Sequence, residues 1–553
     1  GNVLKIRGEL TEAMSCYHKA IALKPNLVGA HNNLGNIQRE MGQLDQAMSS
    51  YRQVLAYEPN QAEAHYNLAI TSKELGKLEE AIDSFRRAIS IKPGVAEQHF
   101  NLANALVSRG SFDEALTHFR QAISIKPDYT DAYINLGAVL HEQGNLQLAI
   151  DTYQKILLYN ANCAAAYCNL GSVFSDLGNH DEAIAAYRQA IENDSNLAEA
   201  YYNLGNALQI RGKLNEASQA YRQALSIQPN YRDAHNNLGN ILQAQGMIDA
   251  AETHLKQAQI LDPDNADTYN NLGNIYKHQS QLDKAITSYR KALKLKPEYF
   301  DAHSNLLYAL SSRPDCASSE YLIEARRYGE KALALAKPYR SWVTHNKKSA
   351  PQCLRVGLVS GDLKSHPVGY FIESILGLLN REQFELVAYS TKNQEDDLTA
   401  RIKSHFSAWN LIARLSDEQA ARKIHEDGIE LLIDLAGHTA FNRLPLFAWK
   451  PAPVQVSWLG YFASTGLPGM DYLLADPVSV PDSCRCEFTE EIYYLPDTRL
   501  CFTPPADGER VPVSGLPAEK HGYITFGCFQ TLSKLGDNVL SLWSRILNAL
   551  PQA

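Results

Sequence analysis

The residues in this sequence best equipped for chemistry lie in LVSGDLKSHPVGYF, at 358–371. An apolar run, Val356 to Val359, opens there into a polar loop carrying Asp362, Lys364 and His366, followed by Pro367. An imidazole titrates near neutral pH, so His366 could take a proton from a hydroxyl or hydrogen-bond an oxyanion. The structural alternative is a loop histidine that caps the helix after it. Two further loops carry polar groups. GHTAFNR at 437–443 sets His438 and Thr439 beside Gly437, where a missing side chain lets a ligand approach the backbone. GYFASTGLPG at 460–469 has the glycine content of a phosphate or sugar cradle, but it contains neither GxxxxGK[ST] nor GxGxxG. Cys484 and Cys486 are close neighbours, yet no second cysteine or histidine pair stands at zinc-finger spacing, so no metal site is expected.

Elements must hold these loops. LRVGLVS reads as a buried strand and GYFIESILGLLN as a helix; FELVAYST is a strand, followed by a polar helical region to about Asp427. IELLIDLAG is a strand, NRLPLFAWKP a helix, and VQVSWLGYF, MDYLLAD and EEIYYLPD are strands. Strands alternating with helices imply a parallel sheet covered on both faces. Each of the three loops follows the carboxyl end of a predicted strand, where such sheets form their binding crevice, so the loops should meet in space.

The first half of the chain is periodic. Leu34, Leu68, Leu102, Leu136, Leu170, Leu204, Leu238, Leu272 and Leu306 recur every 34 residues. A typical unit is AYYNLGNALQIRGKLNEASQAYRQALSIQPN from Ala200. Gly205 and Ala217 allow two antiparallel helices to approach, Tyr221 fills the space between units, and Gly212 and Pro229 mark helix ends. The period and the pattern NLGN…G…A…Y…A…P resemble the tetratricopeptide repeat, whose stacked helix pairs present a concave face. An asparagine precedes every one of those leucines: Asn33, Asn67, Asn101, Asn135, Asn169, Asn203, Asn237, Asn271 and Asn305. Asparagine is a mediocre helix former, so this column needs a reason. The amides could tie neighbouring helices together, or they could form a ladder that grips the backbone of an extended peptide whatever its side chains. The uniformity of the column favours the ladder.

The bulk composition narrows the function classes. With 553 residues, 45% hydrophobic and 20% charged, the chain accommodates several ordinary domains. A formal charge of −9 argues against nucleic acid as the main partner. No run of about 18 apolar residues occurs, so no membrane partner is expected. Nine scattered cysteines suit a reducing cytoplasmic setting, or the nucleus in a eukaryote. The start at Gly1-Asn2-Val3 shows no signal-peptide pattern, and Gly1 aligns with Gly35, so the chain is expected to begin inside a repeat.

A repeat array followed by RVGLVSGDLKSHPVGYF, LLIDLAGHTAFNRL, KPAPVQVSWLGYFASTGLPGMDYLLAD and LPDTRLCFTPP resembles the protein O-GlcNAc transferase family, nearest its bacterial and SPINDLY-like branches. The resemblance covers essentially the whole chain. It implies an all-α tetratricopeptide superhelix joined to the α/β Rossmann-like lobe of a GT-B glycosyltransferase. The implied reaction is inverting transfer of N-acetylglucosamine from UDP-GlcNAc to Ser or Thr of proteins, without metal or cofactor. Protein or peptide substrates would lie in the repeat groove, and a homodimer through the repeats is compatible with this organisation. His366 falls on the family's histidine at the acceptor side of the sugar. His438, Thr439, Leu459, Tyr461 and Phe462 fall where the family lines the sugar and acceptor pocket, and Lys534 matches the lysine at the donor diphosphate. Some family members carry a histidine in the helix before the catalytic domain; Arg326-Arg327-Tyr328-Gly329 has none, so no site is assigned there.

The organisation this implies is repeats at 1–305, degenerate capping helices and linker at 306–352, and the N-terminal catalytic lobe at 353–505. An interlobe linker at 506–521 and the start of a donor-binding lobe at 522–553 complete it. With so little of the donor lobe present, the fragment alone is expected to be inactive. Two alternatives stand beside the leading one: a SPINDLY-type protein O-fucosyltransferase using GDP-fucose, and a non-catalytic repeat scaffold.

Overall fold

The computed structural model describes residues 1–313, 316–342, 353–501 and 537–550. The chain divides into two compact units, 1–234 and 235–553.

The 34-residue period becomes pairs of antiparallel helices, such as Ala198–Ile210 with Leu214–Ile227. The packing reason recurs. A Cβ built on Gly205 would stand 2.6 Å from the Tyr221 ring, inside van der Waals contact, and the same glycine-on-tyrosine fit joins Gly35 to Tyr51, Gly171 to Tyr187 and Gly273 to Tyr289. Tyr51, Tyr221 and Tyr289 are fully buried in the space this creates. Between the helices Gly212 adopts φ +75°, a left-handed turn that glycine makes without steric cost. The second unit continues this pattern through Ala266–His278, Leu282–Leu295 and Phe300–Ser312, and then adds one long helix, Ser318–Leu335.

A seven-stranded sheet follows in the second unit: β1 Leu354–Ser360, β2 Phe384–Ser390, β3 Ala408–Leu411, β4 Leu431–Asp434, β5 Val454–Ser457, β6 Tyr472–Ala475 and β7 Glu491–Tyr494. All pairings are parallel, in the order β3-β2-β1-β4-β5-β6-β7. Chain order reverses direction between β1 and β4, the switch point at which α/β sheets open a crevice beyond their carboxyl ends.

Three expectations need adjustment. The polar region before Asp427 contains β3, a four-residue edge strand that is only partly buried and so shows little apolar signal. NRLPLFAWKP keeps a single helical turn, Leu444–Phe447, with Pro445 in its first turn and Pro451 beyond its end. The strand VQVSWLGYF stops at Ser457, and Leu459 takes φ +64°. The expected boundary at 353 also separates elements that share a core. Tyr321, Ala325, Tyr328 and Ala332 of Ser318–Leu335 pack in one cluster with Leu444, Phe447, Tyr461, Leu467 and Met470 of the sheet region.

Candidate functional site

The loops after β1, β4 and β5 meet, as the register of the sheet requires. A Cβ on Gly361 would lie 2.8 Å from Thr391 Oγ1 and 3.0 Å from Phe441 Cβ; one on Gly437 would lie 2.1 Å from Tyr461 Cβ. The Thr391 hydroxyl donates to the Phe441 carbonyl at 2.7 Å. Gly437 is at φ +55° with no room for a side chain, so glycine there serves the contact between two loops.

His366 is the N-cap of the helix Pro367–Leu378. The Val368 N–H donates to its Nδ1 at 3.3 Å, and Asp362 Oδ2 lies 3.7 Å from the same nitrogen. The side chain remains 41% exposed, and among the described residues its Nε2 has no hydrogen-bond partner. The structure thus shows the capping role together with an accessible second nitrogen. Asp396 anchors the loop by accepting from Ser365 N–H at 2.8 Å, while Thr399 Oγ1 donates to the Leu363 carbonyl at 2.9 Å.

His438 is enclosed. Its Nε2 donates to the Thr465 carbonyl at 3.0 Å, and the Ser304 hydroxyl donates to Nδ1 at 3.1 Å, a tautomer dictated by the carbonyl, which can only accept. The ring meets Tyr328 edge-on at 4.7 Å. Tyr461 is 2% exposed, and its hydroxyl donates to Ser311 at 3.0 Å. The sequence places both residues in a pocket wall; the structure turns both side chains toward Phe300–Ser312 and Ser318–Leu335. Leu459 is also buried. What faces solvent here is the half-buried Thr439, its hydroxyl donating to the Ala436 carbonyl at 2.7 Å, and the exposed ring of Phe462. Lys534 lies outside the described residues.

Burial pushes the His438 imidazole down to about 3, opposed by the Thr465 carbonyl and assisted by the charge of His303. An unfolded histidine takes a proton near pH 6.5 that the folded ring refuses, so this group costs stability as pH falls from about 6.5 toward 3, by up to about 1.4 kcal/mol per pH unit. The first prediction is therefore that His438→Asn is less stable than the parent at pH 7 and that the gap narrows toward pH 5 in urea titrations. A gap independent of pH would contradict it. Comparing the two proteins also cancels the opposite contribution of Asp434, described next.

Two carboxylates absent from the sequence-based site organise the loops. Asp434 ends β4, fully buried, and accepts from Gly437 N–H at 2.8 Å, Ala436 N–H at 3.1 Å and Ser457 Oγ at 3.2 Å. Burial pushes it up to about 6 in spite of those donors. Its signal was legible: an acid closing the apolar run LLID. Glu490 accepts from Thr465 N–H at 2.7 Å, from Ser464 Oγ at 2.7 Å and from the Thr465 hydroxyl. Nothing in FTEEIYY distinguishes it from its neighbours. Phe441 and Leu459 hold φ +61° and +64°, left-handed conformations that cost non-glycine residues about 1 kcal/mol or more and gather at functional loops. The exposed Phe441 ring lies under the Lys392 ammonium, 4.1 Å from its centroid.

The asparagine column does tie helices together. In the first unit Asn33 donates to Asn2 at 3.2 Å, Asn67 to Asn36 at 3.1 Å, Asn101 to the Tyr66 hydroxyl at 2.8 Å and Asn135 to Asn104 at 2.8 Å. Asn203 points its amide at Cys168 Sγ, 4.0 Å away, and Asn169 is half-buried in the same helix position. In the second unit Asn271 donates to Asn236 at 3.1 Å and Asn305 to Asn270 at 3.0 Å, while Asn237 accepts from Asn236 at 3.5 Å. These bonds use amide donors. Among the described residues nothing donates to the side-chain carbonyls of Asn101, Asn135 and Asn271, which leaves acceptors in the column.

Among the described residues no helix is long and apolar enough to cross a membrane. Comparison with known proteins joins the two halves of the chain. The model of glycosyl transferase family 41 matches residues 292–502, and tetratricopeptide repeat models match segments from 1–41 to 266–299. A relative from Petunia hybrida, "Probable UDP-N-acetylglucosamine--peptide N-acetylglucosaminyltransferase SPINDLY", is 38% identical over 241 residues, 43% of this chain and 25% of its own. The SEC protein of Arabidopsis thaliana is 31% identical over 210 residues, 36% of this chain and 21% of its own. The chain thus spans about a quarter of the length of these curated relatives. A variant of the Thermobaculum terrenum O-GlcNAc transferase superimposes with a TM-score of 0.59 at 34% identity, covering 64% of this chain and 67% of that one.

Proposed function

The chain belongs to the protein O-GlcNAc transferase family, and from that membership we propose that the protein transfers N-acetylglucosamine from UDP-GlcNAc to serine and threonine hydroxyls of other proteins, inverting the anomeric carbon. The observation that carries the proposal is the meeting of the β1, β4 and β5 loops at the switch point of a parallel sheet, supported by the last repeat helices. In this reading the acceptor oxygen attacks the anomeric carbon as the bond to the diphosphate breaks, and UDP leaves with the bonding pair. The hydroxyl proton passes to His366 Nε2, which takes it in the tautomer that carries the ring hydrogen on Nδ1; in that tautomer the Val368 N–H bond is given up and Nδ1 faces Asp362 Oδ2, 3.7 Å away. Lys534 is assigned to the leaving diphosphate, where negative charge grows in the transition state. The half-buried Thr439 and the exposed Phe462 are assigned to the loops that receive sugar and acceptor, with His438 and Tyr461 holding those loops in place. The asparagine carbonyls of the repeats would accept from the backbone N–H groups of a protein substrate.

The test offers the full-length protein radiolabelled UDP-GlcNAc and GDP-fucose in parallel with an acceptor protein. Label entering protein from UDP-GlcNAc is the expected result. Label from GDP-fucose alone would transfer the assignment to the fucosyl donor, and label from neither would overturn the proposal.

A further inference from the structure

Lys277 stands on Ala266–His278, and its side chain reaches the last inner repeat helix, Phe300–Ser312. Its ammonium donates to Asn305 Oδ1 at 3.3 Å and lies over the Tyr308 ring, 5.3 Å from the centroid. Asn305 is the final member of the asparagine column, and its own amide is held by Asn270 at 3.0 Å. The Tyr308 ring is 6.4 Å from that of Tyr461, which belongs to the loop at 460–469. Lys277 therefore sits where the repeats adjoin the loops assigned to transfer.

Its partners differ from those of the ion-paired lysines. Lys77 faces Asp45 at 3.3 Å and Lys256 faces Glu252 at 2.7 Å. Lys277 makes no ion pair among the described residues, and burial alone lowers its ammonium to about 8. An ammonium has three donors, and one neutral amide with a ring face leaves that capacity mostly unused. A partly desolvated charge without a counter-ion is costly, and it binds an incoming anion more strongly than a fully hydrated lysine does, because part of its water is already removed.

We propose that Lys277 is a specificity-determining residue that receives an anionic side chain of the acceptor polypeptide where the repeats meet the transfer loops. The inference rests on the reading that the repeats present protein acceptors. The ligand chemistry is a carboxylate of Asp or Glu; a phosphoserine beside the acceptor residue would offer the same chemistry. The competing account is a lysine that packs its stem and serves only the fold.

The test measures binding without any sugar donor, by fluorescence anisotropy on the 553-residue chain. The probes are labelled fifteen-residue peptides with one serine acceptor, in which a single Asp, Asn, phosphoserine or serine is placed at each other position in turn. The expected result is one register where Asp binds about tenfold tighter than Asn, the scale of a hydrogen bond to a charged group. That preference should fall to within about twofold in Lys277→Met and Lys277→Gln and persist in Lys277→Arg. Phosphoserine binding tighter than Asp at that register, again only with the cation present, would identify phosphate as the preferred source. Thermal melting separates the competing account: Lys277→Met should melt no lower than the parent, because the charge it removes has no acid partner. A variant that fails to fold decides for the structural account only if Lys277→Gln fails as well. An Asp preference that survives in Lys277→Met, or none in the parent, overturns the proposal. Failure of every peptide to bind would instead remove the reading on which it rests.

Discussion

Replacing Gly329 by alanine is expected to cost the second unit about 2–3 kcal/mol or more of stability. A Cβ at that position would stand 1.9 Å from the Gly466 carbonyl oxygen and 2.8 Å from its carbon. The opposing backbone is equally tight, since a Cβ on Gly466 would lie 2.0 Å from the Ala325 oxygen, and Gly466 adopts φ +71°. Neither side can retreat. Gly329 lies within the eighteen-residue helix Ser318–Leu335. Gly466 N–H is tied to Ser464 Oγ at 3.1 Å, Ser464 and Thr465 are bound to Glu490, and the Tyr321 hydroxyl donates to the Ser464 carbonyl at 2.6 Å. Overpacking at a rigid contact typically costs 1–3 kcal/mol, and here backbone meets backbone, so no flexible side chain absorbs the clash. The comparison is Gly377→Ala, in an exposed helix position whose nearest neighbour to a Cβ is His405 at 3.9 Å. That change should be neutral or stabilising by up to about 1 kcal/mol, because alanine is the better helix former. Chemical denaturation of both variants decides the matter; equal midpoints would show that the close approach is not what seats the helix.

His366→Ala in the full-length protein is expected to lower the transfer rate by at least about tenfold, and by up to about 10²–10⁴-fold if the ring accepts the acceptor proton in the transition state. The structure complicates a simple alanine test, because His366 also caps Pro367–Leu378 through its Nδ1. Loss of an N-cap costs about 1 kcal/mol and could move the loop. His366→Asn separates the two roles. Asparagine is among the best N-caps, so it should restore stability, but an amide cannot take up a proton near neutral pH. Recovery of melting temperature without recovery of rate supports the proton role. Recovery of both in His366→Asn would mean that the cap is all this residue supplies. Donor affinity should change little in either variant, which the dependence of the single-turnover rate on UDP-GlcNAc concentration would show.

The two variants bracket what could be foreseen. Nothing in the sequence pairs Gly329 with Gly466, because close backbone contact between residues 137 positions apart leaves no periodic mark. His366 stood out at once, since a histidine at the end of an apolar strand is a local pattern. Its capping bond followed from Pro367, a residue favoured at the first turn of a helix.

By itself the sequence determined the repeat pairs, the parallel sheet and the meeting of three loops. These rest on rules that act within a few residues: a 34-residue period, apolar runs of strand length, and side chains whose spacing forces a face. The seat of the aromatic is a finding of the structure: Tyr221, expected between units, packs on Gly205 of its own repeat. The tertiary structure decided which way the loop side chains turn. His438 and Tyr461 occupy the loops named in advance, yet their polar atoms are consumed by Ser304, Thr465 and Ser311. It also decided the charge environments of Asp434 and Lys277, pushed up and down respectively by burial. The physical reason is common to all of these. Desolvation and the choice of hydrogen-bond partner depend on what a distant segment places next to a group, and a side chain's type and spacing carry no record of that neighbour.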